Sequence, residues 1–152
     1  MPTKPKAPRL TDGVTAVGTY AGKLDSLDQR SLADWAADCA AHVLARFEKR
    51  CLNDERPRKA IEAARAWVRG DIRCGQARKA AVAAHAAARA CDHPVAKAAA
   101  RATGHAAATA HMPAHARGAA AYAILAVMID DPGASKAEGD WQARQLRFRQ
   151  LE

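Results

Sequence analysis

The chain has 152 residues and a formal net charge of +8, a size that fits one domain and can bury a working core. Alanine supplies just over a quarter of the residues and aromatic side chains only 5%, so the composition selects helix and argues against a sheet architecture. Four cysteines without a CxxC pair, and no apolar opening segment, match neither a disulfide framework nor a zinc ribbon and point to reduced thiols in a cytoplasmic setting.

Met1 to about Lys23 carries Pro2, Pro5 and Pro8 among Lys4, Lys6 and Arg9, followed by Gly13, Gly18 and Gly22. That composition disfavours any regular element, so residues 1–24 read as a flexible basic arm and residues 25–152 as an alanine-rich helical bundle domain. The first helix starts between Asp25 and Asp28, where Ser26 or Asp28 can cap, and runs to about Arg50 with Leu32, Trp35 or Ala36, Cys39, Val43 and Phe47 as its buried stripe. Arg56 and Pro57, preceded by Asp54 and Glu55, open a second helix that carries Ile61, Ala64, Trp67 and Val68 inward and stops at Gly70. A third helix begins between Asp71 and Gln76 and reaches about Cys91. It packs through Ala77, Ala80, Ala81, Ala84, Ala87 and Ala88, with Arg78, Val82, His85 and Arg89 on the other side.

Asp92 is placed to cap a fourth helix, with Pro94 in its first turn, and Pro113 interrupts it beyond His111. Gly118 to Ile129 contains no polar side chain except the Tyr122 hydroxyl, which predicts a buried central helix too short to span a bilayer, for which about 20 residues are needed. A last amphipathic helix from about Glu138 uses Trp141, Gln145 and Phe148 as its stripe. The expected architecture is all-α: a compact single-domain bundle of five to six helices around an apolar central helix. Its stability depends on the few large residues, Trp35, Phe47, Ile61, Trp67, Tyr122, Leu125, Ile129, Trp141 and Phe148.

Three kinds of site are open to such a chain. His85, His105, His111 and His115 are candidate metal ligands, because imidazole binds zinc and an i, i+4 pair such as His111 and His115 can share a helical face. Against this, Pro113 separates that pair, no HExxH pattern is present, and His105 points about 120° from His111 on a common helix. Histidines bonding across helices are the plainer reading, and no cofactor is called for. No cysteine or serine is flanked by an evident base and orienting group, so no catalytic set is assigned and the chain reads as non-enzymatic. From Arg46 to Lys79 there are eleven Lys or Arg against five Asp or Glu. This basic block could attract nucleic acid weakly and nonspecifically, but it lacks exposed aromatics and a helix-turn-helix pair, and a solvated surface with pairs such as Arg58 and Glu62 is the simpler account.

The segments DWAADCAAHVLARFE, DERPRKAIEAARAW, AVAAHAAARA and GHAAATAHMPAHARGAAAYA, spanning about Leu27 to Ile129, resemble those of a family of bacterial immunity proteins. The resemblance implies a compact helical, non-enzymatic protein that binds and neutralises a cognate protein toxin. It carries over no catalytic residue and calls for no membrane. Candidate contacts for the toxin are Arg58, Arg65 and Arg69 together with the surface of His85, Arg89, Arg101 and His111. Immunity proteins against nucleases usually present acidic surfaces, whereas this chain is basic, so its toxin would be acidic at the contact or engaged by shape. A nucleic-acid-associated basic helical protein and a histidine-based metal-binding protein or metal-dependent enzyme are the alternatives.

Overall fold

In the structure, a computed structural model, residues 2–150 are described; Met1 of the expected arm and the last two residues of the expected domain lie outside them. All regular structure among the described residues is helical. In chain order it comprises α1 (Leu10–Gly18), a 3-10 segment (Ala21–Ser26), α2 (Gln29–Glu48), α3 (Arg56–Arg69), α4 (Cys74–Ala90), α5 (Pro94–Ala108), α6 (His115–Asp130), a short 3-10 turn (Pro132–Ala134) and α7 (Ser135–Gln150).

Local chemistry sets the ends. The Asp28 carboxylate accepts the Ser31 backbone N–H at 2.8 Å, which starts α2 and holds that carboxyl below its ordinary range. Pro57 fits the first turn of α3, and Gly70 ends it in the left-handed region at φ 83°, where glycine pays no steric penalty. The cap of α5 is His93, not Asp92, because the His93 Nδ1 accepts the Val95 N–H at 3.3 Å. That helix stops at Ala108, earlier than the proline spacing suggested, and leaves His111 exposed in the following turn.

Packing follows from small side chains. α5 is buried on nearly all sides, with Ala96, Ala99, Ala100, Ala102, Ala106 and Ala107 at no exposure, and it touches α2, α3, α4 and α6. The apolar α6 in turn packs against α1, α2, α5 and α7, so the interior is shared by two successive helices. Trp35 and Phe47 of α2 and Ile124 of α6 supply the large core volume. Trp67, Tyr122, Ile129 and Trp141 are only partly buried and Phe148 is 63% exposed.

Two stretches depart from the sequence expectation. Leu10–Gly18 is a helix seated on α6, where proline and glycine content had disfavoured any regular element. Its glycines cost helix propensity, about 1 kcal/mol each, yet Gly13 lets the backbone meet Ala121. Burial of Val17, Tyr20 and Leu24 further offsets the cost. In α7 the inward line is Glu138, Gln142 and Leu146, not Trp141, Gln145 and Phe148. The polar Gln142 belongs inside because its side chain is bonded at both ends: Oε1 receives the Tyr20 hydroxyl at 2.5 Å and Nε2 donates to the Ala120 carbonyl at 3.1 Å, while its backbone carbonyl receives the Trp35 indole N–H at 3.0 Å.

A Cβ at Gly13 would run into the Ala121 carbonyl oxygen, whereas one at Gly22 meets nothing within 4 Å. Gly13→Ala should therefore destabilise by about 1–3 kcal/mol or unseat α1, despite the better helix propensity of alanine. Thermal melts and proteolysis of the N-terminal segment measure this, with Gly22→Ala expected to leave both unchanged.

Candidate functional site

The structure brings three of the four candidate histidines together. His85 from α4, His105 from α5 and His115 at the start of α6 form a chain: the rings of His85 and His105 meet edge to face at 5.1 Å, and the Nδ1 atoms of His105 and His115 lie 3.1 Å apart. Tyr122 stacks on His105 at 5.2 Å. His111 is exposed in the turn and does not join them. Glycine makes the chain possible, since a Cβ at Gly104 would fall 2.6 Å from His85 Nε2 and one at Gly118 would fall 2.7 Å from His105 Nδ1. These two glycines were the missed signal: glycine inside an alanine-rich helix costs stability and marks a close approach.

The hydrogen bonds fix protonation. Arg101 carries only donors, so its Nη1 contact of 2.9 Å with His85 Nδ1 requires that nitrogen to be bare. Burial first, then the charges of Arg101 and Arg89, push His85 down to about 4. Burial and the neighbouring histidines push His105 to about 4 as well, and His115 is lowered mainly by burial. The cluster is thus a set of neutral rings in contact that joins α4, α5 and α6, with one hydrogen bond inside it, between His105 and His115. Among the described residues no group of three or more His, Cys, Asp or Glu side chains is arranged to hold a metal ion. A ligand role for His105 and His115 Nδ1 would also require breaking their own hydrogen bond. On its other side His105 borders a cleft of about 340 Å³ between α1 and α6, lined by Leu10, Val14, Val17, Arg117 and Tyr122.

The candidate arginines fall into two groups. Arg58 forms a two-pronged bond to Glu48 across helices, with Nε to Oε2 at 2.9 Å, not the intrahelical pair with Glu62. Arg65 binds Asp38 at 3.0 Å, and Arg69 binds Asp71 at 2.9 Å. Arg149 joins the same acidic side chains of α2 as Arg65, reaching Asp34 at 2.7 Å and Asp38 at 2.5 Å. His42 stacks on Trp141 at 3.7 Å and bonds the buried Glu138 at 2.8 Å. Every cation of α3, and Arg149 of α7, therefore faces a carboxylate, whereas Arg144 and Arg147 on the outer side of α7 enter no ion pair among the described residues.

The other group is different. Arg73, Arg78, Lys79, Arg89, Lys97 and Arg101 lie on or beside α4 and α5, where Asp92 is the only acidic residue between Arg73 and Arg101. Among the described residues none of these six cations enters an ion pair. Arg78, Val82, His85 and Arg89 run along one side of α4, and Lys97 and Arg101, one turn apart on α5, continue the strip through the Arg101 to His85 contact. Val82 is 60% exposed in its middle. In the basic block from Arg46 to Lys79 that stood out in the sequence, the cations from Arg56 to Arg69 are all held in ion pairs, while Arg73, Arg78 and Lys79 at its end are not and belong to the strip that continues with Arg89, Lys97 and Arg101.

An unfolded imidazole titrates near 6.5, whereas folded His85 and His105 do so near 4. Between those values the unfolded chain binds more protons, so the stability contributed by these neutral histidines is complete above pH 6.5 and is lost as pH falls towards 4. NMR titration should place both ring midpoints near 4, and a midpoint near 6.5 would contradict the burial. His85→Asn, which keeps an acceptor for Arg101, should lose less stability than the parent over that interval in thermal melts.

No curated protein and no solved structure matches this chain. The family model described as Imm-5 like putative immunity protein matches residues 22–149, from the segment following α1 to the end of α7, and so includes both the histidine cluster and the basic strip. The chain belongs to the Imm-5 like immunity protein family.

Proposed function

We propose that this protein is a non-enzymatic immunity protein that binds a cognate protein toxin and neutralises it, and that the toxin contacts the α4–α5 strip. Membership of the immunity family carries the first part of the reading. The second part is supported by the segregation of charge. Cations already bonded to carboxylates, such as Arg58, Arg65 and Arg69, would give up those bonds to engage a partner. Arg78, Lys79, Arg89 and Lys97 lose no ion pair on binding, so their charge is available to steer and hold an acidic surface. Val82 adds an apolar contact at the centre, where binding energy usually concentrates.

The strip's charge also suits nucleic acid. α4 and α5 contain no Phe, Tyr or Trp on which bases could stack, and the family points to a protein partner. No helix among the described residues is long and apolar enough to cross a membrane.

Co-expression with the protein encoded beside it should restore growth of cells poisoned by that neighbour, and the two should co-purify. If no neighbouring product is toxic, or none binds, the immunity reading fails. Within a complex, Arg78→Glu combined with Arg89→Glu should weaken affinity at least about tenfold, close to 1.4 kcal/mol. Arg144→Glu combined with Arg147→Glu on α7 should change it by less than about twofold. Calorimetry in two salt concentrations distinguishes the cases. Tight, steeply salt-dependent binding of a DNA or RNA duplex without any protein partner would favour the nucleic-acid reading.

A further inference from the structure

The Sγ atoms of Cys51 and Cys91 lie 3.2 Å apart although the residues are 40 positions apart in sequence. Cys51 follows the end of α2, with its N–H on the Phe47 carbonyl at 3.0 Å, and Cys91 is the residue directly after α4. Everything between them is the α3–α4 hairpin. The two thiols therefore meet at the open base of that hairpin. Their contact holds no other strong partner, since Cys91 otherwise reaches only the His93 carbonyl at 3.9 Å.

We propose that Cys51 and Cys91 form a redox modification site, closed to a disulfide by exchange with a small-molecule or protein disulfide, which staples the α3–α4 hairpin to the body of the fold. A disulfide needs S–S near 2.05 Å, so the atoms must close by roughly 1 Å from where they sit. Cys51 is partly exposed and Cys91 is 6% exposed, which sets the order of events. The Cys51 thiolate attacks one sulfur of the oxidant disulfide RSSR, forming Cys51–S–S–R and releasing RS⁻. The Cys91 thiolate, already in contact, then attacks the Cys51 sulfur and releases the second RS⁻. Two thiol hydrogens leave the protein as protons, two electrons pass to RSSR, and two RSH result. Burial, followed by the bond and charge of Cys91, pushes Cys51 up to about 11, so exchange is slow at neutral pH and faster in mild alkali.

Cys91 belongs to the main core, with Cys51 packed against it, and farther along the hairpin α3, α4 and α5 meet through a separate cluster of Ala60, Ala81, Ala84, Ala107 and Ala108, where alanine supplies little area per contact. A covalent link at the hairpin's base restricts the unfolded chain over about forty residues. It also limits how far α4, with its unpaired cations, can splay from α5. The other two cysteines do not compete within the fold, since Cys39 is fully buried and Cys74 is exposed at the far end of α4.

The test uses the full chain carrying Cys74→Ser, which removes the exposed thiol. Incubation with oxidised glutathione at pH 8.5 should lower the intact mass by two hydrogens, join the tryptic peptides of Cys51 and Cys91, leave the protein monomeric on gel filtration, and raise Tm by roughly 10 °C. Cys91→Ser in that background should stop at a Cys51–glutathione adduct, and Cys51→Ser should remain unmodified at Cys91. A stable glutathione adduct on Cys51 with Cys91 still free would overturn the proposal, as would a link between two chains. A closed disulfide with unchanged or lower Tm would overturn the staple.

Discussion

The fold depends on how closely helices can approach when their facing side chains are alanine and glycine. α5 can lie among α2, α3, α4 and α6 because its buried surface is almost entirely methyl groups, and close approach recovers in dispersion contact part of what small side chains lack in buried area. The same closeness dictates the polar interior. Gly104 and Gly118 leave room for the rings of His85 and His105, and their partial burial favours the neutral form, with His85 bonded to Arg101 and His105 to His115. Gly13 repeats the device at the seat of α1.

A bundle with so little large apolar volume relies on specific polar ties at its edges. The Gln142 side-chain amide receives Tyr20 and gives to Ala120, and its backbone carbonyl receives the Trp35 indole, so one buried residue joins the N-terminal segment, α2, α6 and α7. Asp34 and Asp38 hold Arg65 and Arg149 together, tying α3 and α7 to α2. Exposed pairs of this kind contribute little singly, about 0–1 kcal/mol, but they dispose of charge. On α4 and α5, by contrast, Arg78, Lys79, Arg89, Lys97 and Arg101 form a continuous run of cations that enter no ion pair among the described residues.

The helices were legible where local rules decide them. Asp28, Pro57, Gly70 and the i, i+3, i+4 stripe of α2 place three helix ends and one buried face directly. The N-terminal stretch was not legible, because proline and glycine content describes the cost of helix but not the contact with Ala121 that Gly13 permits. The inward line of α7 was missed for a related reason: hydrophobicity ranks Trp141 and Phe148 above Gln142, and only partners from distant segments make a glutamine the better core residue. Of the candidate site, the sequence placed His85 beside arginines and marked His105 and His115, yet their convergence needed α5 to end at Ala108, which also separates His111. The charge census took in Arg73, Arg78 and Lys79 together with cations that are paired, since net charge along the chain does not reveal which arginines face carboxylates across helices.

Hydrogen–deuterium exchange of the protein, free and bound to the proposed cognate toxin, tests most directly whether the unpaired strip is the binding face. Slowed exchange in peptides of α4 and of the Lys97 to Arg101 turn of α5, with α7 unchanged, is the expected result. Protection confined to α2, α3 or α7, with α4 exchanging as in the free protein, would contradict it.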